Sequence, residues 1–265
     1  MQDIALKSNS PQPQLTFTIN DVTFEMIPVE GGTFTMGATA EQGGEADDDE
    51  KPTHQVTLSS YAIGKHEVTQ ALWQAVMGNN PSQFKGDNLP VERVSWDDCQ
   101  EFISKLNSIT GRSFRLPTEA EWEFAARGGK KSKGYKYSGS NNLDEVAWYD
   151  GNSGNQTHPV GTKKPNELGI YDMSGNVWEW CADWYDNYSS SPSTDPTGPS
   201  SGSFRMSRGG SWNVDAWYCR VSYRNRSRPG GWSLRVWISL VSHRFGSLPD
   251  YGNGGLGLRL VLPQF

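Results

Sequence analysis

Short apolar segments, each interrupted by glycine, proline or polar residues, run along the first part of the chain. Four of them have the length and composition of short strands. These predicted strands cover residues 23–29, 33–36, 54–58 and 61–63. Gly31-Gly32 separates the first two, and glycines between two strands favour a hairpin, so we expect residues 23–36 to form one.

Three further segments carry helix-start signals followed by apolar residues at helical spacing. In the second and third, an acidic residue follows the capping Ser or Thr by three positions, which is the capping-box pattern. The predicted N-caps are Thr69, Ser95 and Thr118, and the predicted ends lie near Met77, Asn107 and Arg127. The apolar face of the second helix consists of Cys99, Phe102, Ile103 and Leu106. We expect these helices to pack on the core.

After Gly128 the pattern changes. Residues 130–205 are mainly Gly, Asn, Ser, Asp and Pro interleaved with Trp and Tyr, a composition typical of loops. No strand or helix pattern restarts a second domain after the linker-like residues 189–202. We therefore expect one loop-rich α+β domain at residues 22–265, preceded by a flexible leader at residues 1–21.

Composition and charge exclude some classes of function. The 265-residue chain has a net charge of −6, whereas a nucleic-acid partner would require a basic surface. No apolar stretch approaches the roughly 18 residues of a transmembrane helix, and no signal peptide is visible, so a lipid anchor is expected only on a precursor. Charge is also unevenly placed: residues 45–50 are acidic, while residues 205–259 hold nine Arg against two acidic residues. We interpret the acidic run as a solvated loop, because like charges repel.

Six segments lie in a fixed order between residues 22 and 262. They read PVEGGTFTMG (28–37), HEVT (66–69), RLPTEAEWE (115–123), GIYDMSGNVWEW (169–180), RGGSW (208–212) and GLGLR (255–259). Together they resemble the formylglycine-generating-enzyme-like, or sulfatase-modifying factor, family. The resemblance implies a C-type-lectin-like fold with little regular secondary structure, but a fold does not settle a function.

The resemblance also identifies the positions where chemistry would occur. In the enzymes of this family, two thiols just after the Gly-Gly-Ser motif hold copper and oxidise a substrate cysteine, and soft Cu(I) needs such thiolates. The corresponding positions here are Val214 and Cys219. Valine offers no ligand, so we expect neither copper nor enzyme activity; a formylglycine-type oxidase with altered metal chemistry is the alternative. Cys219 stays open to three interpretations: a core residue, a lone nucleophile or a disulfide partner of Cys181.

A calcium loop is implied by the same resemblance at residues 172–179. Its ligands would be the side chains of Asp172 and Glu179 and the backbone carbonyls of Gly175 and Val177. Hard oxygen ligands of this kind suit Ca²⁺, which would pin the loops structurally. The alternative interpretation is that the two carboxylates accept hydrogen bonds from backbone amides.

Aromatic residues concentrate near the C-terminus, with eight in the 40 residues between Trp212 and Tyr251. Gly, Ser and Arg fill much of the remainder. Tyr and Trp give large, rigid contact areas, while Ser and Gly adapt and Arg supplies forked donors. This composition is typical of a binding surface.

With its bulky side chains near the C-terminus of a lectin-like scaffold, this segment resembles the variable region of proteins from diversity-generating retroelements, the treponemal surface variable protein among them. We therefore expect a variable binding segment at about residues 213–250, displayed on a bacterial surface or secreted, in a monomer that binds a protein or glycan. The candidate contacts are Val214, Asp215, Trp217, Tyr218, Tyr223, Arg228, Trp232, Leu234, Arg235, Trp237, Ser239, Leu240, Ser242, His243 and Phe245. Arg220, Arg224 and Arg226 are interpreted as framework. The alternative for residues 232–240 is a buried strand.

Overall fold

The computed structural model describes residues 15–44, 46–230 and 255–263. The strands are β1 (Leu15–Ile19), β2 (Val22–Val29), β3 (Gly32–Met36), β4 (His54–Leu58), β5 (Tyr61–Gly64), β6 (Trp178–Trp184), β7 (Ser193–Thr194), β8 (Arg205–Arg208), β9 (Asn225–Ser227), β10 (Leu256–Leu258) and β11 (Val261–Leu262). The helices are α1 (Gln70–Met77), α2 (Trp96–Thr110), α3 (Glu119–Ala126) and α4 (Leu143–Val146). Short strands and helices joined by long loops confirm the expected α+β, loop-rich fold class.

Three small sheets carry the fold. Their strand orders are β1-β2-β5-β11, β10-β6-β8-β9 and β3-β4-β7. The last described part of the chain contributes to two of them, because β10 runs parallel to β6 and β11 runs antiparallel to β5. The first and last described strands therefore share one sheet, as its two edges, and β8 and β10 of the sheet built on β6 flank the segment predicted to bind a ligand.

The predicted hairpin at Gly31-Gly32 is wrong. Strand β2 pairs with β1 and β5, whereas β3 pairs with β4 in another sheet. Gly31 serves a close approach instead of a tight turn: a Cβ there would lie 2.3 Å from the carbonyl oxygen of Leu58. The link between β2 and β3 thus crosses directly over the link between β4 and β5, and a side chain would block the crossing.

The predicted leader is also too long. Residues 15–19 form β1, which pairs with β2 from Leu15 opposite Met26 to Ile19 opposite Val22. The Phe17 ring stacks on Phe24 at 5.3 Å between ring centroids. Alternating apolar residues therefore belong to the fold as an edge strand, and residues 1–14 lie outside the described chain.

The helix predictions are confirmed, because local signals determine them. Thr69, Ser95 and Thr118 accept hydrogen bonds at the three helix starts, and α2 and α3 have full capping boxes. Helix α2 runs slightly beyond the expected end, to Thr110, where Gly111 adopts the left-handed conformation. Its four predicted apolar residues are buried, and Phe102 stacks on Trp73 at 4.9 Å.

Residues 130–205, predicted to be mainly loop, also contain one strand that is central to the fold. Strand β6 lies between β10 and β8, and Trp180 and Cys181 within it are fully buried. Apolar and polar residues do alternate in β6, but the face that carries Glu179 and Asp183 is buried instead of facing water. Glu179 pairs with Arg259, and the Asp183 carboxylate accepts from the Glu119 amide at 2.8 Å.

Candidate ligand-binding site

A glycine turn directly after β8 sets the direction in which the chain enters the predicted binding segment. Gly209 and Gly210 both have positive φ, at 99° and 79°. A Cβ on Gly210 would lie 2.6 Å from the Cys219 Sγ, so only glycine lets the following short helix fold back on the turn. That helix is one 3₁₀ turn, Ala216–Cys219, and the Asp215 side chain caps it by accepting from the Trp217 amide at 2.8 Å.

The loop predicted to hold calcium lies directly behind this helix. The Gly175 amide donates to the Gly209 carbonyl at 2.7 Å, and the Trp212 amide donates to the Asn176 carbonyl at 2.8 Å. The Ser174 hydroxyl donates to the Cys219 carbonyl at 2.8 Å. Because these hydrogen bonds join the loop to residues 209–219, a rigid loop would also hold the predicted binding residues in place.

Val214 and Cys219 do come together, but as core residues. Val214 is half-buried and packs against a small cluster that contains Cys219 and Tyr137. Burial, followed by the nearby charge of Asp150, raises the pKa of the Cys219 thiol well above its usual value, so it stays protonated near neutral pH. The geometry offers one protonated thiol where copper chemistry needs two thiolates.

The other two cysteines do not supply the second thiol. Cys99, Cys181 and Cys219 are all buried and free, and each packs in a different hydrophobic cluster. The disulfide between Cys181 and Cys219 that the sequence left open is therefore not formed in this structure.

Trp217 is held by a single buried arginine. Its half-buried ring stacks on the Arg220 guanidinium, whose central carbon lies 3.9 Å from the ring centroid. Arg220 is fully buried and pairs with both carboxylate oxygens of Glu50, at 2.6 and 2.8 Å. Burial alone would raise the pKa of Glu50, but the hydrogen bonds from Arg220 and Ser222 outweigh it and hold that pKa below its usual value.

The acidic run is therefore not simply a solvated loop. Glu50 is fully buried, and its partner lies 170 residues further along the chain. The Asp49 carboxylate accepts from the Tyr185 hydroxyl at 2.9 Å, while the Asp49 carbonyl accepts from Arg224, also at 2.9 Å. Among the described residues of the run, Asp47 and Asp48 are exposed and match the expectation of surface charges, and Asp48 contacts Lys51 at 3.6 Å.

The remaining described contacts divide into exposed and supporting residues. Tyr218 is half-buried and meets the Tyr223 ring edge-on at 5.0 Å. Tyr223 is only 9% exposed and also lies beside the Trp178 ring at 5.9 Å, so it supports the surface more than it forms it. Asp215 and Arg228 are exposed.

Nine of the predicted contacts lie outside the described residues. They are Trp232, Leu234, Arg235, Trp237, Ser239, Leu240, Ser242, His243 and Phe245. The chain on either side is well placed: the Pro229 carbonyl accepts from the Trp96 amide at 3.1 Å, and Gly255 lies against Ser211 and bonds through its carbonyl to the Trp178 amide. The described chain thus resumes at Gly255, beside the glycine turn that precedes residues 213–218.

Buried arginines form the framework below this surface. Arg208 pairs with Glu119 and Glu123, and Arg224 pairs with Glu119 at 2.7 and 2.9 Å. Burial alone would raise the pKa of Glu119, yet Arg224 and then Arg208 keep it below its usual value. Sequence reasoning noticed the excess of arginine here but did not find these acidic partners; the excess itself was the signal that they existed.

The residues predicted to bind calcium fit only in part. Asp172 is buried, and its Oδ1 has no hydrogen-bond partner among the described residues, as an ion ligand would. Its Oδ2 accepts from the Gly161 amide at 2.7 Å. Glu179 is engaged elsewhere: Arg259 donates to both of its oxygens, the shortest bond being 2.6 Å, and the Trp122 indole donates at 2.7 Å.

Three buried carboxyl groups lie close together around this loop, and a bound cation would offset their mutual repulsion. Burial, followed by the charges of Asp172 and Glu179, raises the pKa of Glu67 well above its usual value, and burial raises the pKa of Asp172 to about 6. Among the described residues, no group of three or more His, Cys, Asp or Glu side chains has a ready metal-binding arrangement. Calcium therefore stays a prediction, with Gly175 and Val177 still its expected carbonyl ligands.

The fold and the motifs place this chain in a known family. Residues 14–241 match the sulfatase-modifying factor enzyme 1-like domain, and the chain belongs to that family. None of the helices in the described part of the chain has the length and apolar character needed to cross a bilayer.

The proteins that resemble this chain differ in their described functions. The chain is 38% identical over 252 residues to the chaperone protein LppX of Paenibacillus barcinonensis, covering 76% of this chain and 83% of that protein. It is 38% identical over 180 residues to a formylglycine-generating enzyme of Thermomonospora curvata, covering 60% of this chain and about half, 54%, of the enzyme. Among solved structures, Treponema denticola variable protein 1 matches with a TM-score of 0.80 and 34% identity, over 96% of this chain and 100% of that chain. Both resemblances inferred from the sequence are confirmed.

Proposed function

We propose that this protein binds a protein or glycan partner through residues 213–250 and catalyses no reaction. One observation carries the proposal: Val214, which the family resemblance aligns with a required thiol, packs beside Cys219, and burial holds the pKa of the Cys219 thiol well above its usual value. The family contains enzymes and other proteins, so the fold alone does not decide between these functions.

The described part of the segment has the properties of a binding surface. Trp217 and Tyr218 are partly exposed, while the residues beneath them are buried and hydrogen-bonded. Rigid aromatic side chains cost little entropy when a partner docks, because their orientation is already set. Similarity to a variable protein over nearly the whole chain supports the same function.

The cellular setting is proposed from the family likeness. A variable binding protein would be displayed on a bacterial surface or secreted, with a lipid anchor supplied by a precursor. A structural calcium ion at residues 172–179 would stabilise the loop behind the binding surface. We propose a monomer, since each copy already carries a complete segment at residues 213–250.

Loss of an anchor residue tests the binding proposal directly. Arrays of bacterial and host surface proteins and of glycans would be probed with the wild type and with Trp217→Ala, which we expect to weaken a specific hit by about 2 kcal/mol or more, roughly 30-fold. Trp184→Ala is the matched control, because Trp184 also stacks on an arginine, with the Arg205 guanidinium 3.5 Å from the ring centroid. Trp184 is the last residue of β6 and lies opposite Arg205 of β8 in the sheet, outside residues 213–250. Equal losses in both variants would contradict the proposed site.

The enzymatic alternative has its own test. The protein would be incubated with copper and a sulfatase peptide containing a cysteine, alongside a formylglycine-generating enzyme as positive control, and the peptide followed by mass spectrometry. We expect no conversion, and no thiolate-to-copper absorption unless Val214→Cys restores the second thiol. Conversion of the peptide cysteine by the wild type would overturn the proposal that the protein only binds.

Sequence comparison tests the variable segment. If sibling copies from the same genome differ mainly within residues 213–250, the segment is diversified as proposed. Differences spread evenly along the chain would contradict it.

A further inference from the structure

We propose that Glu50 and Arg220 are positioning residues for ligand binding, which fix the ring of Trp217 before a partner arrives. The inference rests on the proposed function, because it assigns a binding role to Trp217. It adds a residue from the N-terminal acidic run to a site that otherwise lies after residue 208.

The contact between the two charged residues fixes a plane. Two guanidinium nitrogens of Arg220 donate to the two oxygens of Glu50, at 2.6 and 2.8 Å, and both side chains are fully buried. A forked pair of this kind sets the orientation of the guanidinium as well as its position. Glu50 is itself held, since its Oε1 accepts from the Asp47 amide at 3.0 Å and Ser222 donates to its Oε2.

Trp217 rests on that plane. The guanidinium carbon of Arg220 lies 3.9 Å from the ring centroid, and the Arg220 Nε donates to the Trp217 carbonyl at 3.0 Å. Arg220 therefore holds both the ring and the main chain of the same residue. Because Arg220 is fully buried and Trp217 is half-buried, the stacked side of the ring faces inward and the exposed part points away from Arg220.

Glu50 is what allows this arrangement to exist. A guanidinium without a counter-charge is strongly disfavoured in a dry interior and would turn toward water. If Arg220 turned, Trp217 would lose its support and sample several rotamers. Binding of a partner would then include the entropy cost of ordering the ring, which lowers affinity without removing any direct contact.

A purely stabilising ion pair would behave differently. The Arg115–Glu121 pair has the same forked geometry, with both bonds at 2.6 Å, but its contacts do not include Trp217. Breaking it should lower stability and leave the binding surface unchanged. Glu121→Gln is therefore the matched control for Glu50→Gln.

Fluorine NMR on protein labelled with 5-fluorotryptophan tests the inference without any ligand. The Trp217 resonance would be assigned from its absence in Trp217→Phe. In Glu50→Gln we expect this resonance to shift by more than its linewidth or to broaden, while most of the other ten tryptophans keep their positions. In Glu121→Gln it should stay in place.

Ser222→Ala provides a milder second variant, since it removes one donor to Glu50 and keeps the ion pair. We expect a smaller change at the same resonance. An unchanged Trp217 resonance in folded Glu50→Gln, or in Ser222→Ala should Glu50→Gln not fold, would overturn the inference. A failure to find any partner on the arrays would count against the proposed function and leave this NMR result intact, so the two failures are distinguishable.

Discussion

Removing the charge of Glu119 should destabilise the protein strongly, because this one carboxylate serves two buried arginines. Glu119 is the first residue of α3 and is 5% exposed. It accepts from Arg224 at 2.7 and 2.9 Å and from Arg208 at 3.1 Å. The Tyr188 hydroxyl donates to it as well, at 3.1 Å. Strands β8 and β9, which carry the binding segment, are thereby fastened to α3.

The magnitude follows from what each partner keeps. In Glu119→Gln, Arg208 still pairs with Glu123. The described partners left to Arg224 are all neutral: the Asp49 carbonyl, the Met206 sulfur and the rings of Tyr185 and Tyr188. One guanidinium is thus left buried without a counter-charge, a change that typically costs about 3–5 kcal/mol. For a chain of this size each kcal/mol corresponds to roughly 2–4 °C in melting temperature, so we expect a loss of roughly 6–20 °C.

Urea and thermal unfolding, followed by circular dichroism, measure this loss. Glu101→Gln is the control, because Glu101 pairs with Lys105 at 2.8 Å on the exposed side of α2, and such a pair contributes only about 0.5 kcal/mol. A loss below about 1 kcal/mol in Glu119→Gln would refute the reasoning. It would mean that Arg224 finds other compensation, and that the arginines after residue 205 are not a framework that depends on acidic residues from the first half of the chain.

Three more predictions test other parts of the structure. Burial, followed by the charge of Glu119, raises the pKa of Asp183 to about 7. Between about pH 5 and 7 the folded state therefore binds a proton that the unfolded state has released, so the free energy of unfolding falls as pH rises. Asp183→Asn should remove up to about 1.4 kcal/mol per pH unit of that slope, measured by urea titrations across this pH range. An unaltered slope would contradict this. Gly210→Ala should cost more than Gly78→Ala by about 1–3 kcal/mol in urea unfolding, because both glycines have positive φ but only Gly210 would place its Cβ against Cys219; equal costs would show that the turn yields. Excess chelator should lower the melting temperature if calcium stabilises the loop at residues 172–179, and an unchanged melting curve would end that prediction.

The sequence predicts best those elements that local contacts determine. The caps at Ser95 and Thr118 and the left-handed Gly78 depend on neighbours within one helical turn, so the pattern alone locates α1, α2 and α3. Strand β6 was missed although its apolar and polar residues alternate, because it lies among loop-type residues and the face that carries Glu179 and Asp183 is buried. Their interior position makes sense only once Arg259 and α3 are in place.

The acidic run shows the same limit for the binding site. Residues 45–50 have the composition of a solvated loop, and nothing near them in sequence explains a buried Glu50. The nine arginines from residue 205 onward showed that counter-charges had to come from elsewhere in the chain, but not which acidic residues supply them. Pairing across 170 residues is a property of the fold, and it accounts for both unusual stretches at once.

The division between surface and support within residues 214–224 explains how such a segment could change without unfolding the protein. Val214, Asp215, Trp217 and Tyr218 are partly or fully exposed, whereas every residue from Cys219 to Arg224 is buried. The buried part is fixed by ion pairs and packing that do not involve the exposed side chains' outer faces, so a new residue at 217 or 218 alters the surface at limited cost to the core. Tyr223 falls on the buried side, beside Trp178. We therefore expect it to stay constant among sibling copies while Trp217 and Tyr218 vary, and frequent change at Tyr223 would show that this boundary is drawn in the wrong place.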